Sequence, residues 1–450
     1  MVSMCSALRQ IKDDPFRILQ PDVIQSVCDE LDYHWRSGPL DPAHTVALFV
    51  QQIAQGNIPC AEVRHLSDRQ FSDSAYCQAR QRLALKVLQE LSRRVARAVR
   101  GGEAAAELPR WHERAVWIVD GSSFSMPDTS PLQEHFGQPS GQTSGCGFPT
   151  GHLLALFDRD SGMMEQPVIS PLYTSDVKHT PLMHAQMQRG DVLLGDDTFS
   201  SWGHFALVLQ AGLNLNTPSH HKRIVSFKPH RPYTKEGKNA VAGRPRSRWI
   251  KSLGKLDQLV EWFKPQACPK WIKREDYDAL PESIIVREIR RTIRRKGFRA
   301  ITVTIVTTLL EVDLYPADEL VELRMSRWAV EVNLRHLKTT MGMDVLHCKS
   351  VHGVNKEVAV FVLVYNLVRA LMLEAARRQG VPLERISFAD ALHWLRHAGP
   401  QDELPELIVN PHRPNRIEPR VVKRRAKPYD LMTRPREQLR KALKRRKKAA

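Results

Sequence analysis

Ala115-Val116-Trp117-Ile118-Val119-Asp120-Gly121-Ser122-Ser123 is the stretch that decides how this chain is read. Five apolar residues in a row, without polar alternation, predict a strand buried on both faces. The run ends on an acid. A carboxylate at the C-terminal end of such a strand stands at the rim of a sheet, where sites form in α/β folds.

Outward from this run, strands and helices alternate. Residues 152–158 and 163–169 predict two strands around the turn Arg159-Asp160-Ser161-Gly162, and 180–188 a helix. Residues 191–195 predict a strand that stops at Asp196, 201–211 a helix closed by Gly212, and 300–310 a β-branched strand. Buried strands alternating with helices indicate an α/β domain. On the N-terminal side, 45–55, 61–66 and 74–99 read as helical, with Leu83, Val87, Leu88, Leu91 and Val95 on one face of the last. A helix-turn-helix and a plain helical bundle both satisfy that pattern. On the C-terminal side, helical spacing runs from Ala317 to about residue 340, over 356–378 and over 388–397. Beyond Pro411 the apolar period vanishes, so this tail is expected to be disordered or to lie on a partner.

The charge is unevenly placed. The 450 residues carry 67 Lys and Arg against 49 Asp and Glu, a net charge of +18. Residues 222–299 hold 22 basic and 8 acidic side chains, residues 413–450 hold 16 and 3, and residues 101–221 hold 5 and 13. An acidic body between two strongly basic pieces points to a nucleic acid partner. With 42% hydrophobic residues the chain is not a disordered tail. The run 358–368 is interrupted by Tyr365 and Asn366 and stops at Arg369, short of the roughly 20 apolar residues of a membrane span. The seven cysteines are scattered without a C-x-x-C pair, which signals neither a zinc ribbon nor a disulfide framework and suits a reducing compartment.

Three acids carry the candidate chemistry: Asp120, Asp196 and Glu331. Taken singly, each Asp also reads as a turn or capping residue. On an ideal helix Glu331 shares a sector of about 80° with Arg324, Arg327, Arg335 and Lys338. That sector reads either as a solvated face of i,i+4 pairs or as a carboxylate set among phosphate-binding cations. Three hard-oxygen ligands from separate elements suit two Mg²⁺ ions about 4 Å apart, the arrangement used in phosphodiester chemistry.

With these residues assembled, the chain resembles an insertion-sequence-four-type bacterial transposase of the Asp-Asp-Glu group. That family's signature is Tyr, two residues, Arg, three residues, Glu, six residues, Lys; Arg327, Glu331 and Lys338 fall on its last three positions, and Arg324 stands at the Tyr. Asp120 in Val-Asp-Gly-Ser-Ser matches the first acidic motif, and Asp196 in Leu-Leu-Gly-Asp-Asp-Thr-Phe the second, where Asp197 and Thr198 replace the usual Arg-Gly. The stretches starting at Phe136, Ala75 and Glu418 resemble the family as well, so the likeness covers nearly the whole chain.

The resemblance implies an α/β fold with a ribonuclease-H-like core at 113–400, interrupted by a basic β-rich insertion at 216–312. It implies an all-helical DNA-binding domain at 1–100 and a basic, flexible tail at 401–450. It further implies metal-dependent hydrolytic cleavage at transposon ends and 3′-hydroxyl strand transfer into target DNA. Asp120, Asp196 and Glu331 would be the catalytic metal ligands, holding two Mg²⁺ ions that Mn²⁺ can replace. Arg324, Arg327 and Lys338 would bind DNA. The implied partners are double-stranded DNA, as inverted-repeat ends and as target, and a second copy in a dimeric synapse; the implied location is the bacterial cytoplasm, at the nucleoid. Two alternatives stay open: an inactive end-binding repressor, and a ribonuclease-H-like nuclease that cuts without joining. Relatives flip a base onto an aromatic ring; Trp249, Trp262 and Trp271 are candidates for that role or for core packing. His179, His184, His220 and His221 share no metal-ligand spacing with cysteines and read as surface or core histidines.

Overall fold

The structure is a computed structural model that describes residues 17–108, 110–235, 241–294, 300–398, 402–411 and 434–449. Six helices come first: α1 (Pro21–Glu30), α2 (Pro42–Ala54), α3 (Cys60–Val63), α4 (Asp73–Arg82), α5 (Leu85–Gly101) and α6 (Glu103–Ala106). The carboxylate of Asp41 caps α2 through the His44 N–H, and the Ser72 hydroxyl caps α4 through that of Ala75. The helix expected over 74–99 is two helices, broken at Leu83 and Ala84 without Gly or Pro. The reason is tertiary: Lys356 Nζ donates to the Arg80 and Gln81 carbonyls (3.1 and 2.6 Å), and the Tyr33 hydroxyl to that of Arg82 (3.1 Å). These donors satisfy the carbonyls that would otherwise stay unpaired at the end of α4.

One sheet then organises the chain. Its elements are β1 (Val116–Ser125), α7 (Ser130–Phe136), β2 (Thr150–Asp158), β3 (Val168–Pro171), α8 (Thr180–His184), β4 (Val192–Leu194), α9 (Trp202–Gln210) and β5 (Asn214–Pro218). There follow β6 (Ser247–Gly254), β7 (Asp257–Phe263), α10 (Arg274–Asp278), β8 (Ser283–Ile293) and β9 (Ile301–Thr307). The strand order is β3-β2-β1-β4-β5-β9-β8-β7-β6. β1, β4 and β5 run parallel, whereas β2 and β3 pair antiparallel on one side and β6 to β9 form an antiparallel run on the other. The basic stretch therefore extends the same sheet. It holds three strands, β6 to β8, within residues 216–312.

Two expectations need correction here. Asp120 does not end its strand: β1 continues to Ser125 along β2, while its pairing with β4 stops at Ile118 and Leu194. Asp120 thus sits two residues past the parallel pair, at the rim that β4 leaves open. The strand expected over 163–169 is confined to β3, because Asn366 takes the Met164 backbone instead, accepting from its N–H (2.9 Å) and donating to its carbonyl (2.8 Å).

The C-terminal half adds α11 (Ala317–Met325), α12 (Ala329–Arg335), α13 (Val351–Gln379), α14 (Phe388–His397) and α15 (Arg436–Ala449). α13 packs on α5 and closes one face of the sheet, in a core that also includes Val87, Leu91, Ile118, Phe157 and Phe361. α9 closes the other face, with Trp117, Leu193, Phe205 and Trp262. By length and composition α13 passes as a membrane span, yet its apolar window is wholly buried inside the protein. Its polar residues are pinned: Glu357 accepts from the His347 and Cys348 N–H groups (both 2.8 Å), and Arg369 Nη2 donates to the Ser161 carbonyl (2.7 Å). The tail departs from the expectation of disorder in part. Residues 412–433, including the family-like stretch from Glu418, lie outside the described residues, but α15 is helical and docks on the chain's own surface.

Candidate active site

Asp120 and Asp196 come from the adjacent strands β1 and β4, at the same rim. Asp120 lies on the α13 face of the sheet, as the alternation along β1 dictates, since Val116 and Ile118 belong to that core. Its Oδ1 accepts the Gly121 N–H (3.0 Å). Asp196 follows β4 and caps the 3₁₀ turn Asp197–Phe199, accepting the Thr198 N–H at 2.8 Å. Packing explains both neighbouring glycines. A Cβ on Gly121 would meet Asp176 Oδ2 at 2.7 Å, and one on Gly195 would meet the Phe199 ring at 2.7 Å.

The helical segment bearing the cations is not one straight α-helix. A 3₁₀ turn (Ser326–Trp328) joins α11 to α12, and a π turn (His336–Thr340) follows. Arg324 lies in the last turn of α11 and Arg327 three residues on in the 3₁₀ turn, a spacing that sets both toward the same side. Arg327 Nη1 donates to Asp120 Oδ2 (3.1 Å), and its Nη2 lies 3.7 Å from Glu331 Oε1. One guanidinium therefore bridges the first and third acids. Arg327 is 10% exposed, Asp120 19% and Glu331 67%, so Glu331 reaches in from solvent. Arg335 is exposed, and the π turn carries Lys338 into a half-buried position beside Asp344, whose N–H donates to the Lys338 carbonyl (3.3 Å). The five-residue face of the ideal helix thus reduces to Arg324, Arg327 and Glu331 around the acids.

The electrostatics fit this crowding. Burial pushes the Asp120 carboxyl above its ordinary range; Arg327 opposes the shift and the charge of Asp196 reinforces it. Burial, with repulsion from Arg327, brings Arg324 down to about 10, against the pull of Asp196, Asp120 and Asp197. Nε of Arg324 and Nε of Arg327 are both buried without a hydrogen-bond partner. Two unmet cationic donors beside two carboxylates are a costly arrangement in a purely structural site.

Several neighbours of the site carried no sequence signal. His221 Nδ1 lies 3.1 Å from Asp197 Oδ2, and this hydrogen bond holds the Asp197 carboxyl below its ordinary range. Beneath the Asp196 turn, His204 Nδ1 donates to the Phe199 carbonyl (2.8 Å), and its Nε2 meets His184 Nε2 at 3.2 Å. Since Nδ1 of His204 carries the proton, His184 must donate across that second contact. On the face of the sheet opposite Asp120, Asp176 holds His152 under Gly121. Trp262 is fully buried with Arg223 3.5 Å above its ring, so it is packing rather than a free stacking platform. Trp249 sits 4.4 Å from the His230 ring.

As a donor set, two carboxylates from adjacent strands, one with raised proton affinity, suit a hard divalent cation. Among the described residues no group of three or more His, Cys, Asp or Glu side chains is gathered closely enough to enclose a metal. Arg327 stands between Asp120 and Glu331 and neutralises both.

Comparison with known proteins agrees in kind. The family model "Transposase DDE domain" matches residues 111–367. The chain is 25% identical over 429 residues to the transposase InsG for insertion sequence element IS4 of Escherichia coli (strain K12), covering 88% of this chain and 84% of that protein. It also matches the cryo-EM structure of a piggyBac transposase synaptic complex with hairpin DNA, at 10% identity and a TM-score of 0.43, over 86% of this chain and 80% of that one.

Proposed function

The chain belongs to the transposase DDE domain family and is a DNA transposase, and from that premise we propose that it performs metal-dependent cut-and-paste transposition at the β1–β4 rim. Asp120, Asp196 and Glu331 would hold the divalent ions, Mg²⁺ or Mn²⁺, and Arg324, Arg327 and Lys338 the phosphates of the transposon end. The strand order β3-β2-β1-β4-β5, with β1, β4 and β5 parallel, supports a ribonuclease-H-like core beneath the site. The observation that carries the reading is the Arg327 bridge between Asp120 and Glu331, with unmet donors on Arg324 and Arg327 beside it.

When bound, divalent ions would lower the pKa of the attacking water or 3′-hydroxyl and stabilise the leaving oxygen. The protein's own part is positional. Gly121 lets β1 lie close over His152 and Asp176, and the His204–Phe199 bond fixes the turn that presents Asp196. Arg327 pairs with both Asp120 and Glu331 and opposes the upward shift of the Asp120 carboxyl; on DNA binding its planar fork would transfer to a phosphate, which it matches in shape. Arg324 supplies a second guanidinium from one 3₁₀ turn away. A dimeric synapse and strand transfer complete the proposal.

The test is cleavage and joining of duplexes carrying the element's own ends, with Mg²⁺ present. Glu331→Ala is expected to lose cleavage by at least about 10²–10³-fold while binding ends as wild type does. Cleavage by the wild type without joined products would instead favour a nuclease, and equal cleavage by the variant would overturn the site.

A further inference from the structure

The tail helix α15 is more than a charge run. Eight of its fourteen residues are Lys or Arg and one is Glu. Arg440 and Lys444, and likewise Lys441 and Arg445, stack like charges at i,i+4, which opposes helix formation. Even so, its first turn is fastened to the loop beyond β1. Arg436 Nε pairs with Asp128 Oδ2 (3.0 Å), with both side chains at or below 15% exposure, and its Nη1 donates to the Gly147 carbonyl (2.6 Å). The same guanidinium lies 4.1 Å over the Phe148 ring, the Arg436 N–H donates to the Gly145 carbonyl (3.0 Å), and Arg440 reaches Asp128 (3.4 Å).

This anchor lies beyond the end of β1, the strand that carries Asp120. Asp128 lies three residues past Ser125, the C-terminal end of β1, and Ser125 is itself about 17 Å along the strand from Asp120. The Asp344 carbonyl accepts from the Ser125 N–H (2.9 Å), and Asp344 bonds back to the Lys338 carbonyl, so the docking point adjoins the end of the segment that carries Lys338. From there α15 runs about 21 Å. Lys441, Lys444, Arg445 and Arg446 on it are exposed, and among the described residues none has an acidic partner.

We propose that α15 is a docked arm that binds the phosphate backbone of the DNA duplex beside the cleavage position. A polyanion would relieve the like-charge stacking, and the anchor fixes where that relief occurs. The proposal rests on the proposed site for its place beside the cleavage position, whereas the arm's contribution to DNA affinity does not depend on which acids cut.

The experiment follows salt-dependent binding of an end duplex by fluorescence anisotropy, in the Glu331→Ala background so that DNA stays intact. The variant Lys441→Gln, Lys444→Gln, Arg445→Gln, Arg446→Gln is expected to flatten the slope of log K against log[salt] by about 3 to 4, near 0.9 per phosphate contact, and to weaken binding at least 10-fold. Asp128→Ala, which frees the arm but keeps its charge, is expected to lose hydroxyl-radical protection next to the cleavage position. An unchanged slope and affinity in the quadruple variant would overturn the proposal. So would wild-type protection in Asp128→Ala, since α15 would then act as a free polycation. Unchanged binding together with a smaller oligomer in Leu439→Asp, Leu443→Asp would assign the helix to a second copy of the chain. Retained cleavage by Glu331→Ala would sink the proposed site without touching this result.

Discussion

Two arginine–aspartate pairs in this molecule have the same chemistry and opposite circumstances. Between β7 and β8, Arg287 meets Asp257 fork to fork (2.9 and 2.6 Å) and gives its remaining nitrogen to the Tyr315 carbonyl (2.7 Å). Both side chains are at most 3% exposed, and the pair is complete. At the β1–β4 rim, Arg327 meets Asp120 through a single bond, reaches Glu331 only at 3.7 Å, and leaves Nε unpaired, as does Arg324. The closed pair holds a sheet together. The open one has donors and charges to spare, which is what a site that must exchange partners with a ligand requires.

Breaking the closed pair should affect stability alone. Arg287→Met leaves Asp257 buried and uncompensated, at a cost of about 3–5 kcal/mol. The expected outcome is a lower denaturation midpoint, with end cleavage per folded molecule unchanged. A stability loss below about 1 kcal/mol would remove the contrast.

A buried pair with no charge sharpens the comparison. Burial lowers His184 to about 3 and His204 to about 4. The unfolded chain, with ordinary histidines near 6.5, then binds more protons than the folded one, so stability is fully present above pH 6.5 and is lost as pH falls toward 4. Each histidine contributes roughly 1 kcal/mol of loss per pH unit in that window. His204→Asn, which keeps a donor toward Phe199, should flatten the profile when denaturant midpoints are compared between pH 7 and pH 5. The same slope in wild type and variant would contradict the assignment.

The smallest effect is expected at Arg324. Arg324→Tyr keeps a phosphate hydrogen-bond donor but removes a cation, so KM for end DNA should rise about 5-fold, near 1 kcal/mol, with kcat little changed. A large drop in kcat would show that Arg324 touches the reacting atoms.

Legibility followed how local the cause was. The strand into Asp120 and the strand before Asp196 could be read because an unbroken apolar run stopped at or next to a carboxylate, and the helices over 45–55 and 74–99 from apolar residues at helical spacing. The break at Leu83 could not, since Lys356, far along the chain, supplies the donors that end α4. The insertion was expected to be β-rich from the family resemblance alone; the bounds of β6 to β8 were masked by polar residues on their open face and by a turn through Leu256 at φ +54°. At the site, the acids and Arg327 were visible from spacing. The 3₁₀ and π turns that interrupt this segment, the second carrying Lys338 away to Asp344, were not, because a helical wheel assumes one constant twist.

The central claim is that the open cluster at the β1–β4 rim is the metal-holding reaction site. Mn²⁺ titration followed by electron paramagnetic resonance tests it directly, on wild type, Asp120→Asn and Asp196→Asn, with the fold of each checked by its denaturation midpoint. The account predicts that wild type binds Mn²⁺ and that each substitution weakens binding at least about 10-fold. Mn²⁺ binding of equal strength in all three proteins would contradict it.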